Sequence, residues 1–167
     1  MAEESKQLTK RQQKAIDTAA LIRQEPPQGE DMAFTHSILC QVGLPRSKVA
    51  GREFMRRSGD AWLVVQAGWI DEGSGPVEQP LPYGAMPRLT FAWISSYALR
   101  NKTREIAIGP SANEFLHLLG MDSQGTRHKT LRTQMQALAA CRLQLGFKGR
   151  TYNGQPVEQF DAWIKDG

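Results

Sequence analysis

An α+β fold is predicted for this chain of 167 residues by three observations. Apolar residues recur at helical spacing after Pro87, and again between Arg127 and Ala140. β-Branched and aromatic residues mark a strand in Ala61–Trp69, and alternation marks another beyond Ala140. Asn153-Gly154 is a dipeptide that tight hairpins favour. Hydrophobic residues make up 40% and charged residues 23%, which is ordinary globular composition, so a core can form without disulfide or metal staples.

Residues 5–24, "SKQLTKRQQKAIDTAALIRQ", are good helix formers and stop at Glu25-Pro26-Pro27. They predict an N-terminal helix and linker over residues 1–31, ahead of a domain over 32–167. "MAFTHSILCQVGLPRSK" is apolar but too short to separate strand from helix. Ala61–Trp69, "AWLVVQAGW", reads as one strand. The Gly/Pro-rich run Ile70–Pro87 is expected to hold a structural boundary.

From Pro87 the order is clearer. "PRLTFAWISSYALRN" predicts a buried amphipathic helix with Pro87 in its first turn and Leu89, Trp93 and Tyr97 recurring every four residues, with Phe91, Ile94 and Ala98 beside them. "REIAIG" (Arg104–Gly109) alternates like a short strand. Ser111 and Glu114 form a capping box for a helix whose apolar face is Phe115, Leu118 and Leu119, ended by Gly120. Thr126 is placed to cap the next helix, with Leu131, Met135 and Leu138 on its inner stripe. Continued as helix, Arg142 would fall in that stripe, so the helix ends near Ala140. A strand then alternates through Cys141, Leu143, Leu145 and Phe147. Asn153-Gly154 turns it, and "VEQFDAWIKD" returns with Phe160, Ala162 and Ile164 on one face. This is the element order of a winged helix, a helix-turn-helix with a β-hairpin wing.

The net charge of +4 is unevenly placed: residues 1–80 balance to −1 and residues 81–167 to +5. Between Ser123 and Val157 there is no Asp or Glu, while Arg127, Lys129, Arg132, Arg142, Lys148 and Arg150 all fall there. Such a window suits a polyanion. The second helix of a helix-turn-helix enters the DNA major groove. Lys129, Arg132 and Gln136 carry the donors and acceptors for phosphates and base edges, and Thr133 can meet phosphate or a thymine methyl. Arg127 and His128 lie at the helix start, where backbone N–H groups attract phosphate. Lys148, Arg150 and Tyr152 lie where a wing would flank the duplex. The competing reading is an ordinary solvated helix face. A second basic cluster, Arg46–Gly59, reads as a solvated helix face that can extend a phosphate surface.

No phosphate-cradling loop, nucleophile elbow or His-Glu-x-x-His is present, so no enzyme, cofactor or metal is expected. His36 and Cys40 read as a satisfied core pair rather than metal ligands, and His117 as structural. Cys40 and Cys141 read as reduced thiols of a cytoplasmic protein, with a disulfide left open. "MAEESKQLTKRQQK" lacks the apolar core of a secretory signal, and no run spans a membrane.

Three segments, "FTHSILCQVGLPRS" (Phe34–Ser47), "PYGAMPRLTFAWISSYALRNKTREIAIGPSANEFLHLLGM" (Pro82–Met121) and "GTRHKTLRTQMQALAACRLQLGF" (Gly125–Phe147), resemble the RepA family of bacterial plasmid replication initiators. The resemblance covers roughly residues 32–150. It implies a non-enzymatic protein that binds repeated origin sites (iterons) on double-stranded DNA and helps open the origin. It further implies a homodimer that recruits host initiation and helicase-loading proteins. Many relatives continue with a second winged helix, and in them the first often serves dimerisation and phosphate contacts. A self-association module is therefore the alternative, with "AWLVVQAGW" and "FDAWI" as the strand-forming stretches that could pair with a twin.

Overall fold

The computed structural model describes residues 8–26, 28 and 35–160. The chain divides into two compact units, Met1–Ala33 and Phe34–Gly167. The first holds α1 (Lys10–Gln24). Thr9 and Gln12 close a capping box at its start, and Glu25, just ahead of Pro26, ends it. None of its residues is buried.

The second unit is α+β, with its main sheet antiparallel throughout. It opens with α2 (Ser37–Val42), whose Ile38, Leu39 and Val42 are buried and which Gly43 ends at φ 63°. His36 caps this helix, its Nδ1 accepting from the Ile38 N–H at 3.3 Å. The pairing of His36 with Cys40 in the core is not formed: both are exposed, because a cap lies at the helix mouth and Cys40 is on its outer side.

β1 (Glu53–Ser58), β2 (Ala61–Gln66), β5 (Arg142–Phe147) and β6 (Arg150–Gly154) pair in the order β1-β2-β5-β6. A smaller hairpin joins β3 (Trp69–Asp71) to β4 (Pro76–Glu78). Alternation puts Leu63, Val65, Leu143 and Leu145 on the face that α2 covers. Trp62, Val64 and Gln144 point the other way and are half-buried. Trp62 lies over Gly146, its cross-strand partner, where a Cβ would collide with the indole. The predicted single strand Ala61–Trp69 is thus two strands, broken at Ala67-Gly68. The cluster Arg46–Gly59 is loop and edge strand, not a helix face. Its Arg56 donates to the Val42 carbonyl at 3.1 Å and its Arg57 to that of Gly59 at 3.0 Å.

The Gly/Pro-rich run carries the β3–β4 hairpin, and the residues after it, Leu81 and Pro82, are buried inside the same unit. No boundary falls there. α3 (Ala85–Asn101) begins two residues before Pro87 and buries Met86, Pro87, Thr90, Ile94 and Ser96. Leu89, expected inside, is 45% exposed. This helix is apolar almost all round, so periodicity alone did not choose its inner face. Arg104–Gly109 forms no strand, although Ile106 and Ile108 are half-buried. Both sides of β5 are taken, by β2 and β6.

α4 (Ala112–Leu118) starts at Ser111, whose hydroxyl accepts from the Glu114 N–H at 3.3 Å. Gly120 at φ 70° ends it in a Schellman motif, with Gly120 N–H donating to His117 and Met121 N–H to Leu116. Phe115 and Leu116 are buried, whereas Leu118 is 50% exposed. The connection 119–126 to α5 (Arg127–Ala140) is longer than the turn of about three or four residues expected between such helices. α5 ends at Ala140, where the loss of helical periodicity put it, and buries Leu131, Gln134, Met135, Ala137 and Leu138.

The hairpin after α5 turns earlier than Asn153-Gly154. Lys148 and Gly149 occupy its two-residue loop at φ 45° and 79°, the pair of positive angles of a type I′ turn. Asn153 pairs with Gln144 inside β6. Residues 157–160 form no strand, Phe160 packs on the α4–α5 cluster, and Ala162 and Ile164 lie outside the described residues. No described helix is long and apolar enough to cross a membrane.

The cysteines are free thiols. Burial pushes the Cys141 thiol up from its ordinary 9.0 to about 12. The thiol stays protonated when folded but ionises when unfolded, so its contribution to stability falls as pH rises past 9 toward 12. At neutral pH a thiol reagent is expected to label exposed Cys40 and to reach Cys141 only after denaturant is added. Mass spectrometry of the native protein checks this, and rapid double labelling contradicts it.

Candidate nucleic-acid interface

α5 is held by its inner stripe. Leu131 and Met135 pack with Phe115 and Leu116 of α4, and Leu138 joins the sheet core. Gln134 is buried, yet its Oε1 accepts from the Tyr83 N–H at 2.8 Å, which ties α5 to the segment ahead of α3. The inner-stripe reading missed it, because a polar residue gives no apolar signal and its partner is remote in sequence.

The opposite side of α5 is polar. His128, Lys129 and Thr133 are exposed, and Arg132 and Gln136 are half-buried. Steps of about 100° per residue put Lys129, Arg132, Thr133 and Gln136 on one strip. The first turn has no acidic residue, and Thr126, expected to cap it, makes no side-chain cap bond. Arg127 and Lys129 therefore stand at the positive end of the helix dipole, where an unpaired cation destabilises by roughly 0.3–1 kcal/mol. An incoming anion relieves that.

The acid-free window of the sequence is not acid-free in space. Asp122, one residue outside it, folds back onto Arg127 as an ion pair. At the hairpin tip, Lys148 Nζ lies 4.0 Å from Asp60 and 5.4 Å from the centre of the Phe147 ring. The strand register brings that acid in: Ala61 pairs with Phe147, so the β1–β2 turn sits beside the β5–β6 turn. Arg150 is exposed on β6. Tyr152, expected to flank a duplex, instead meets the His36 ring edge-on at 5.7 Å.

A second feature was not anticipated. Trp69, 59% exposed, borders an open cavity of about 500 Å³ with Arg52, Glu53, Gln66, Ala140, Arg142 and Gln155. Its strand-like sequence context hid the exposed indole. Among the described residues no group of three His, Cys, Asp or Glu is placed to hold a metal. No family model, curated protein or solved structure matches the chain.

Proposed function

We propose that this protein binds double-stranded origin DNA without catalysis and so initiates plasmid replication, with the outer strip of α5 as its contact surface. In this reading α3, α4, α5 and the β5–β6 hairpin act as a winged helix, in which β2 fills the place beside β5. One observation carries it: the outward strip Lys129-Arg132-Thr133-Gln136 starts at a helix end that has no side-chain cap and no acid in its own first turn, where Arg127 pairs with Asp122 from the preceding loop. Cations and amides on one strip suit phosphates and base edges, and the uncapped N–H groups suit a phosphate. Arg127 and Lys148 are contacts that must each leave or share an acid. His128 and Arg150 are peripheral phosphate contacts. The resemblance to RepA initiators supplies the origin, the homodimer, the host initiation and helicase-loading partners and the bacterial cytoplasm as parts of the same proposal.

Titration against an origin duplex at two salt concentrations tests the reading. Each phosphate neutralised contributes about −0.9 to the slope of log affinity against log salt. A handful of contacts predicts a steep fall, and flat affinity contradicts the proposal.

A dimerisation module with only non-specific phosphate contacts is the second reading. β6 favours it: this edge strand is exposed along its whole length. The stretch first expected to pair with a twin does not serve, because β2 is interior with both sides hydrogen-bonded. "FDAWI" lies almost entirely outside the described residues.

A further inference from the structure

We infer that the cavity beside Trp69 is a second binding site, for one nucleotide of a single nucleic-acid strand. It lies at the other end of α5 from the cationic first turn and does not depend on the duplex reading. The indole is exposed, yet it is fixed in place. Gly68 packs so closely on the Ala140 carbonyl, at the end of α5, that a Cβ there would overlap its oxygen. Arg52 donates to the Ala67 and Gly68 carbonyls at 3.1 and 3.3 Å and is ion-paired with Glu78. Its guanidinium stands 5.7 Å from the centre of the Trp69 ring. Arg52 thus orients the indole, and the part of the ring bordering the cavity remains open.

Three other side chains determine what enters. Arg142 is exposed at the start of β5, directly across from Gln66. The Gln66 amide donates to Glu53 at 3.1 Å, which orients its carbonyl oxygen as an acceptor. Gln155 adds a further amide. A flat ring to lie on Trp69, an anion to meet Arg142, and edge groups to meet two amides together describe a nucleotide. In a duplex the base faces are already stacked, so only an unpaired base can lie on the indole. An apolar protein segment fits poorly. The lining is mostly polar, with Arg52, Arg142 and two amides beside one carboxylate, Glu53, which the Gln66 amide holds. Val77, also exposed, is opposite Ile70 and so on the other face of the β3–β4 hairpin.

Fluorescence anisotropy of labelled oligothymidylate and oligouridylate tests the site in the full chain. Both strands, or one if the sugar is read, are expected to bind. Trp69→Ala and Arg142→Ala should each weaken binding about tenfold. Trp69→Phe should restore most of it, which separates lost stacking from lost folding. Lys129→Ala/Arg132→Ala should keep single-strand affinity, so failure of the duplex reading leaves this result intact. Absence of binding by either strand overturns the inference. So does binding that Trp69→Ala and Arg142→Ala leave unchanged. Loss of self-association in those variants, with no strand bound, assigns the cavity to a second copy and overturns it as well.

Discussion

Gly68→Ala is expected to cost this protein about 3 kcal/mol or more of stability, although it adds a single methyl group. The methyl would point into the Ala140 carbonyl, a backbone atom that cannot rotate away. Relief needs either β3 or the end of α5 to move. β3 is anchored, since the Gln79 N–H donates to the Gly68 carbonyl at 2.9 Å and Ala67 N–H donates to Arg52 at 2.8 Å. The end of α5 is anchored too, because Leu138 and Cys141 lie in the core beside it. The position is therefore caught between two elements that cannot yield separately. Thermal melting should show a fall on the order of 10 °C. Gly146→Ala offers the comparison. Its methyl would meet the Trp62 indole, a side chain with room to swing outward from a half-buried position, so a smaller loss is expected. Equal melting temperatures for Gly68→Ala and the parent protein would contradict this packing.

The second large effect concerns duplex affinity. Lys129→Ala/Arg132→Ala should weaken binding to origin DNA by roughly 1–3 kcal/mol for each residue that contacts a base edge. If both meet phosphate instead, the salt slope should drop by about 1.8, since two counterion-releasing contacts are lost. Neither side chain is in either core cluster, so the loss of stability should be smaller than that of Gly68→Ala. Comparing the slopes and the melting curves of the two proteins checks both statements. A double variant with parental affinity and parental slope excludes this strip as the contact surface.

Much of the second unit was legible because its signals are local. The Ser111–Glu114 cap, the glycine stop at Gly120 and the change of period at Ala140 each depend on a few adjacent residues. The inner stripe Leu131, Met135 and Leu138 was legible for the same reason. Errors arose where remote residues decide. Arg104–Gly109 alternates like a strand, but alternation does not supply a partner, and both sides of β5, the strand it would join in a winged helix, are taken by β2 and β6. Asn153-Gly154 is a strong turn signal locally. The competing turn at Lys148-Gly149 lets Leu145 pair with Tyr152 and Gln144 with Asn153, a register that only the folded sheet reveals.

The candidate site shows the same division. Helical spacing was enough to group Lys129, Arg132, Thr133 and Gln136. It could not see Asp60 approaching Lys148 across the sheet, or Tyr152 turning toward His36. The Trp69 cavity was invisible for a related reason. Arg52, Trp69 and Arg142 come from three separate strands or their flanks, brought together by the β1-β2-β5 order and by the packing of Gly68 on Ala140.

The most direct test of the duplex-binding account is NMR mapping of backbone amide shifts as an origin duplex is added. The account predicts the largest shifts along Arg127–Gln136, with smaller ones around Lys148–Arg150. Shifts confined to β1, β3 and the edge of β6, with α5 silent at saturating duplex, would contradict it.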